Sequence, residues 1–155
     1  MQKMPIKTDF YRFWDRSLML NDLKNSRHFG QVGKGRHFEA LLWTRSDYGF
    51  VVCRARSEFL DGLQTKRRQW LDRIHRTSRL SHPLIPPMEA FFEGEDLFYV
   101  KPYCEEALAV RPYSSELASL TDSLRAEGLV VDDYWQMRAR RGQPFVIDWS
   151  DLMAV

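Results

Sequence analysis

The residues best suited to chemistry in this chain are acids and cations set beside glycines. Asp148 sits in the stretch Gly142-Gln143-Pro144-Phe145-Val146-Ile147-Asp148-Trp149-Ser150-Asp151, where three apolar residues follow a Gly-Gln-Pro turn. That run predicts a short buried strand, and a carboxylate leaving a rigid strand suits Mg²⁺ and the phosphates it carries. The same acid is also able to cap the following turn or to pair with an arginine. In Gly33-Lys34-Gly35-Arg36 the glycines let backbone N–H groups approach phosphate oxygens, and Lys34 and Arg36 add charge. A plain hairpin turn is the other reading of that segment. Between residues 65 and 80, Lys66, Arg67, Arg68, Arg73, Arg76 and Arg79 face a single acid, Asp72. Such a run is a solvated helix face or a polyanion site. Aromatics do not interleave with these charges as a single-strand platform would require, since Trp70 belongs to the apolar face, and this argues against single-stranded nucleic acid. Cys53 and Cys104 lie far apart in apolar surroundings with no second thiol at metal-ligand spacing, so both are expected to pack in the core, unpaired.

The chain that must position these groups has 155 residues, 44% of them hydrophobic and 28% charged, with a net charge of +2. These values describe one globular domain with room for a real core, and the charge selects no class of partner. No apolar run approaches the ~20 residues that cross a bilayer, and no apolar signal core follows Met1-Gln2-Lys3-Met4-Pro5. The expectation is a cytoplasmic protein without a membrane span.

Phe10, Phe13, Trp14 and Leu18 recur at helical spacing and predict a helix from Asp9 to about Leu20, capped by Thr8 or Asp9 and packed across a sheet. Strands are expected over 28–32, 37–43 and 50–54, joined by Gly33–Arg36 and by the Ser46-Asp47-Tyr48-Gly49 turn. A long helix over 65–80 buries Leu63, Trp70, Leu71 and Ile74 and stops at Ser81-His82-Pro83. Two strands, 89–93 and 97–101, flank Gly94-Glu95-Asp96. Residues 105–112 read as a linker, followed by a helix capped by Ser114 or Ser115 that buries Leu117, Leu120 and Leu124 and ends at Gly128. The fold class is α+β, with five antiparallel strands and one inserted helix.

In this order the motifs resemble the protein-kinase-like superfamily, in the style of its small bacterial and lipopolysaccharide-kinase members, over about residues 27–152. Val32-Gly33-Lys34-Gly35-Arg36-His37-Phe38-Glu39-Ala40 resembles the loop over the ATP phosphates, with Phe38 in place of the third glycine. Val51-Val52-Cys53-Arg54 resembles the strand of the phosphate-binding lysine, with Arg54 in its place. Leu97 to Tyr103 resembles the last strand and the hinge, and Ser81-His82-Pro83-Leu84-Ile85 the segment after the mobile helix. Gly128-Leu129-Val130-Val131-Asp132 resembles the approach to the catalytic aspartate, and Val146-Ile147-Asp148-Trp149-Ser150 the metal-binding motif. The resemblance implies ATP and Mg²⁺ as cofactors. Gly33, Lys34, Gly35, Arg54, Lys101 and Tyr103 would contact nucleotide, Asp72 would be the helix partner of Arg54, Asp148 would hold the metal, and Asp132 would be the catalytic acid, or Asp133 if the register shifts by one. It also implies a helical extension over 1–26, an N-lobe over 27–104, and a minimal, truncated C-lobe over 105–155 whose open side a protein partner would cover.

The departures bear on activity. Arginine's planar fork differs from a lysine ammonium. Met137 stands where an asparagine would hold a second metal, and a thioether is a poor ligand for a hard ion. Three functions follow: a minimal, weakly active kinase-like phosphotransferase; a pseudokinase that binds or regulates; and a polyanion binder using the basic helix.

Overall fold

Five strands form one antiparallel sheet in the order β1-β2-β3-β5-β4: β1 Phe29–Lys34, β2 Phe38–Arg45, β3 Tyr48–Ala55, β4 Glu89–Glu93 and β5 Asp96–Pro102. The computed structural model describes residues 6–131 and 135–155. Ser46 and Asp47, both at positive φ, close β2 onto β3 as a two-residue turn, with Arg45 opposite Tyr48. The turn is shorter than expected, so β3 starts two residues earlier. Likewise β1 runs on through Gly33 and Lys34, which lie in the ladder opposite Ala40 and Glu39, and only 35–37 form the connection to β2. Val32 is the extra residue of a bulge in β1, between the pairs Gln31–Leu41 and Gly33–Ala40.

Side chains of successive strand residues alternate between the two faces of the sheet, and each face carries its own core. On the outer face Trp43, Tyr48, Phe50, Val52, Phe98 and Val100 pack with Phe10 and Met19. The helix expected over 9–20 is two helices, α1 Ile6–Phe13 and α2 Arg16–Lys24. Asp15 breaks the run, because its carboxylate accepts the Leu18 N–H at 2.9 Å and caps α2 instead of continuing α1. Asp22 then fastens α2 to the sheet by accepting the Trp43 indole N–H at 2.9 Å.

Beneath the inner face lies α3, Gln64–Ser78. Trp70 and Ile74 are buried as expected, but Leu63 is 51% exposed and Arg67 is buried in its stead. The Arg67 guanidinium donates to the carbonyls of Arg56, Ser57 and Phe59, bonds that an apolar side chain could not make. The linker expected over 105–112 contains a short strand, β6 Glu106–Leu108, and a single 3₁₀ turn. Helix α4, Ser114–Ala126, buries Leu117, Leu120 and Leu124 against the same core. Ser114 does not cap it, since its hydroxyl donates back to the Arg111 carbonyl at 2.6 Å. Strand β7, Leu129–Val131, pairs antiparallel with β10, Leu152–Ala154. Strands β6, β8 (Met137–Arg140) and β9 (Gln143–Val146) form a three-stranded sheet, with Arg141 and Gly142 at positive φ in the β8–β9 turn. Both cysteines are buried free thiols. No helix among the described residues is long and apolar enough to cross a membrane.

Candidate functional site

Two adjoining cavities lie between the inner face of the sheet and the β8–β9 segment. The more polar one, about 490 Å³, is lined by Gly35, Arg36, His37, Lys101, Gln136 and Asp148, with Cys53, Tyr99, Ile147, Ser150 and Asp151 among its walls. The more apolar one, about 310 Å³, lies between Val32, Ala40 and Val51 on one side and Ile147 on the other, and runs to Pro102, Tyr103, Cys104 and Arg138. Ala40, Cys53, Lys101 and Ile147 line both. The bulge at Val32 is what leaves that side chain over the apolar chamber rather than in the regular ladder.

The apolar chamber offers a polar edge at the end of β5. The Tyr103 N–H donates to the Gly49 carbonyl at 2.9 Å, and the Cys104 thiol donates to the Pro102 carbonyl at 3.6 Å. The carbonyls of Tyr103 and Cys104 are held by arginines of β8, through Arg140 at 2.7 Å and Arg138 at 2.8 Å. These bonds fix the segment after β5 against the three-stranded sheet. Burial pushes the Cys104 thiol up to about 11, with Lys101 and Arg140 opposing the shift.

In the polar chamber, Asp148 Oδ1 accepts the Ser150 N–H at 3.0 Å and the Ser150 hydroxyl at 2.8 Å. This is the turn-capping role, and it orients the carboxylate while leaving Oδ2 for the cavity. Lys101 donates from β5 to the carbonyl of Ile147, the residue before Asp148, and its ammonium lies 4.9 Å from the centre of the Tyr99 ring. Tyr99 donates to the same carbonyl at 3.1 Å. Burial raises the Tyr99 hydroxyl well above its ordinary range and also raises the Cys53 thiol, the latter opposed by Lys101. His37 Nε2 stands 3.7 Å from Asp151 Oδ1, linking the β1–β2 connection to the segment after Asp148.

The expected site residues divide into those the fold gathers and those it does not. Gly35, Lys101 and Asp148 line the polar chamber, and Lys101 and Tyr103 the apolar one. The Gly35 N–H is already bonded to the Phe38 carbonyl at 2.9 Å. Gly33 and Lys34 stay in the edge strand β1, outside the lining of both cavities. Arg54 corrects the expectation most sharply. It shares the outer-face parity of Phe50 and Val52, and it pairs with Glu39 of β2 at 3.1 Å rather than with Asp72. The inward residue is its neighbour Cys53, and the α3 residue that faces the interior is Trp70, which packs edge-on to Tyr99 at 5.8 Å. Asp72 lies on the opposite side of α3, in an open groove of about 550 Å³ with Thr65, Arg68, Gln69, Arg73 and Arg76. Two of those arginines are bound to the chain itself, Arg73 to the Leu152 carbonyl at 3.3 Å and Arg76 to that of Glu127. Phe38, in place of the third glycine, lines the polar chamber and is buried against Phe59, Trp70 and Tyr99 at ring distances of 4.7, 5.5 and 6.0 Å. Asp132 and Asp133 lie outside the described residues.

Met137 is buried in β8 opposite Val146, while Gln136, one residue earlier, lines the polar chamber beside Asp148. Sequence reasoning passed over Gln136, and the period-two alternation of a strand starting at Met137 was the signal that one of the two had to face the cavity. Among the described residues no three His, Cys, Asp or Glu side chains converge on a metal position. A Mg²⁺ ion takes one or two carboxylates, keeps waters and leans on substrate phosphates, so Asp148 with the amide oxygen of Gln136 fits such an ion.

No protein-family model matches this chain, and no curated protein matches it in sequence. Among solved structures it is similar to the crystal structure of the kinase domain of Mycobacterium tuberculosis PknI, determined as a double mutant, with a TM-score of 0.60 at 14% identity. The likeness covers 80% of this chain and 60% of that one, so the chain spans about three-fifths of the length of that kinase domain. At that identity the similarity concerns the fold, which is kinase-like.

Proposed function

We propose that this chain is a kinase-fold nucleotide-binding module that has lost efficient phosphoryl transfer, a pseudokinase rather than a working kinase. The reading rests above all on the parity of β3. Phosphoryl transfer on this fold depends on a strand lysine paired with a helix glutamate, which position the phosphates and stabilise the charge that builds up on them. Here the inward β3 position is a thiol, Cys53, the buried α3 residues are Arg67, Trp70, Ile74 and Thr77 with no acid among them, and Arg54 is turned to the other face with Glu39. A thiol and an indole in an aromatic cluster hold no anion.

Binding is supported by the paired cavities. The apolar chamber between Val32, Ala40, Val51 and Ile147 has the apolar walls that a nucleobase needs, and it runs to the end of β5 at Pro102, Tyr103 and Cys104. The polar chamber supplies Lys101 and Arg36 for a phosphate tail. Asp148 and Gln136 would hold Mg²⁺, which when bound would neutralise phosphate charge. With chemistry reduced, the protein's role is regulatory, exerted on a protein partner. The polyanion reading is weaker, because Arg73 and Arg76 on the basic helix already serve backbone carbonyls.

The test is a pair of measurements on the full chain: thermal unfolding with and without ATP and Mg²⁺, and γ-phosphate release or transfer under the same conditions. A melting shift with no turnover above the buffer rate is the expected result. Turnover that disappears in Asp148→Ala would make the chain an active phosphotransferase and end the pseudokinase reading.

A further inference from the structure

Lys101 is a half-buried cation on a central strand, and its surroundings are not those of a surface lysine. Register sets its place: Lys101 stands opposite Val51 and Tyr99 opposite Cys53, so Val51, Cys53, Tyr99 and Lys101 form one inward-facing patch across β3 and β5. The vacant cationic position on β3 is Cys53, and the nearest inward cation on the neighbouring strand is one rung away. Lys101 lines both chambers, and its ammonium reaches the backbone immediately before Asp148. Its ammonium also lies 4.9 Å from the centre of the Tyr99 ring, on the wall of the polar chamber.

We infer that Lys101 has taken over from β5 the anion-binding work that the β3 cation would do, and that it holds the phosphate tail of a nucleoside di- or triphosphate at the seam of the two chambers. This rests on the nucleotide-binding reading above and adds the identity of the cation. The Ile147 carbonyl holds the ammonium in the absence of an anion, and it is a neutral acceptor. A phosphate oxygen is charged and forms the stronger bond, so the ammonium transfers to it with a short swing. Arg54 has no part in this, since it lies across the sheet and is paired with Glu39. The placement also explains why a half-buried lysine is tolerated there: the Ile147 carbonyl and the Tyr99 ring face both meet its charge.

The experiment is calorimetric titration of the full chain with adenosine, ADP and ATP in the presence of Mg²⁺, on the parent and on Lys101→Met and Arg54→Met. The expected result is that the parent binds ADP and ATP at least tenfold more tightly than adenosine. Lys101→Met loses that difference while keeping adenosine, and Arg54→Met keeps both. If Lys101→Met retains the phosphate increment, the inference about Lys101 is overturned while nucleotide binding stands. If the parent binds none of the three, both fall. A second measurement uses only the folded parent: an adenosine bearing a sulfonyl fluoride at its 5′ end, followed by peptide mapping. Modification at Lys101 that ATP suppresses supports the assignment, and modification only at Lys34 or Lys66 refutes it, whether or not the methionine variant folds.

Discussion

The Trp70 indole N–H donates to the Trp149 carbonyl at 3.0 Å, a buried bond between residues 79 positions apart. It joins the middle of α3 to the residue after Asp148. Trp149 in turn donates its own indole N–H to the Val146 carbonyl at 3.1 Å, closing the turn in which Asp148 sits. Two buried tryptophans therefore brace the segment that presents the carboxylate, beside the Lys101 bond to the Ile147 carbonyl.

Replacing the first of these rings measures that brace. Trp70→Phe keeps most of the apolar volume and removes one of the two donors to the Trp149 carbonyl, which retains the Leu152 N–H at 3.2 Å, an expected loss of about 0.5–1.5 kcal/mol. Trp70→Ala adds a cavity and should cost about 3–5 kcal/mol. Urea unfolding of both variants gives the comparison, and a Trp70→Phe variant as stable as the parent would show that the hydrogen bond contributes nothing beyond packing.

Asp148 and Gln136 are expected to act together on a divalent ion. At a hundred times its dissociation constant, Mg²⁺-ATP should stabilise the parent by about 2.7 kcal/mol, a rise of roughly 5–11 °C in melting temperature for a chain of this size. Asp148→Ala should lose the part of the shift that requires Mg²⁺, and Gln136→Ala should lose less, because an amide oxygen is the weaker ligand. An unchanged Mg²⁺-dependent shift in Asp148→Ala would remove that residue from the metal position.

Stability should fall on the alkaline side. Burial raises the Cys104 thiol from 9.0 to about 11 and the Tyr48 hydroxyl from 10.0 to about 12. The folded state thus holds protons that the unfolded chain releases, and this contribution is intact below pH 9 and lost as pH climbs through 11 and 12. The buried Tyr48 hydroxyl has no hydrogen-bond partner among the described residues, and the Arg140 guanidinium lies 4.1 Å over its ring. Denaturant midpoints measured from pH 8 to 11 should drop steadily above 9. Cys104→Ala, compared with the parent, should flatten the first part of that slope; an identical slope in the two proteins would contradict the assignment.

The N-terminal helices should prove integral to the domain rather than appended to it. Asp22 is a buried carboxylate bonded to the Trp43 indole, and removing it in Asp22→Ala strands that N–H inside the outer core. The expected loss is about 1.5–3 kcal/mol. Amide exchange should show both α2 and the centre of β2 opening more readily in the variant. Faster exchange confined to α2 would mean that the helix is a detachable cover.

By itself the sequence determined the order of five strands with one helix inserted after the third, the leucine face of α4, the two unpaired buried thiols and an acid leaving the last inner strand. Each has a local cause, since hydrophobic period, glycine and proline punctuation and cysteine spacing act within a dozen residues. The helix break at Asp15 was also local, yet the aromatic stripe across it hid the cap. Only the tertiary structure decided which face of the sheet each candidate serves. Phe50, Val51, Val52 and Cys53 lie in a central strand covered on both sides, so all four are apolar and no alternation marks inside from outside. Arg54 therefore read as the cleft cation although it belongs to the outer face. Lys101 and Gln136 joined Asp148 only through strand register, and a shift of one residue in that register would have sent each of them to the opposite side.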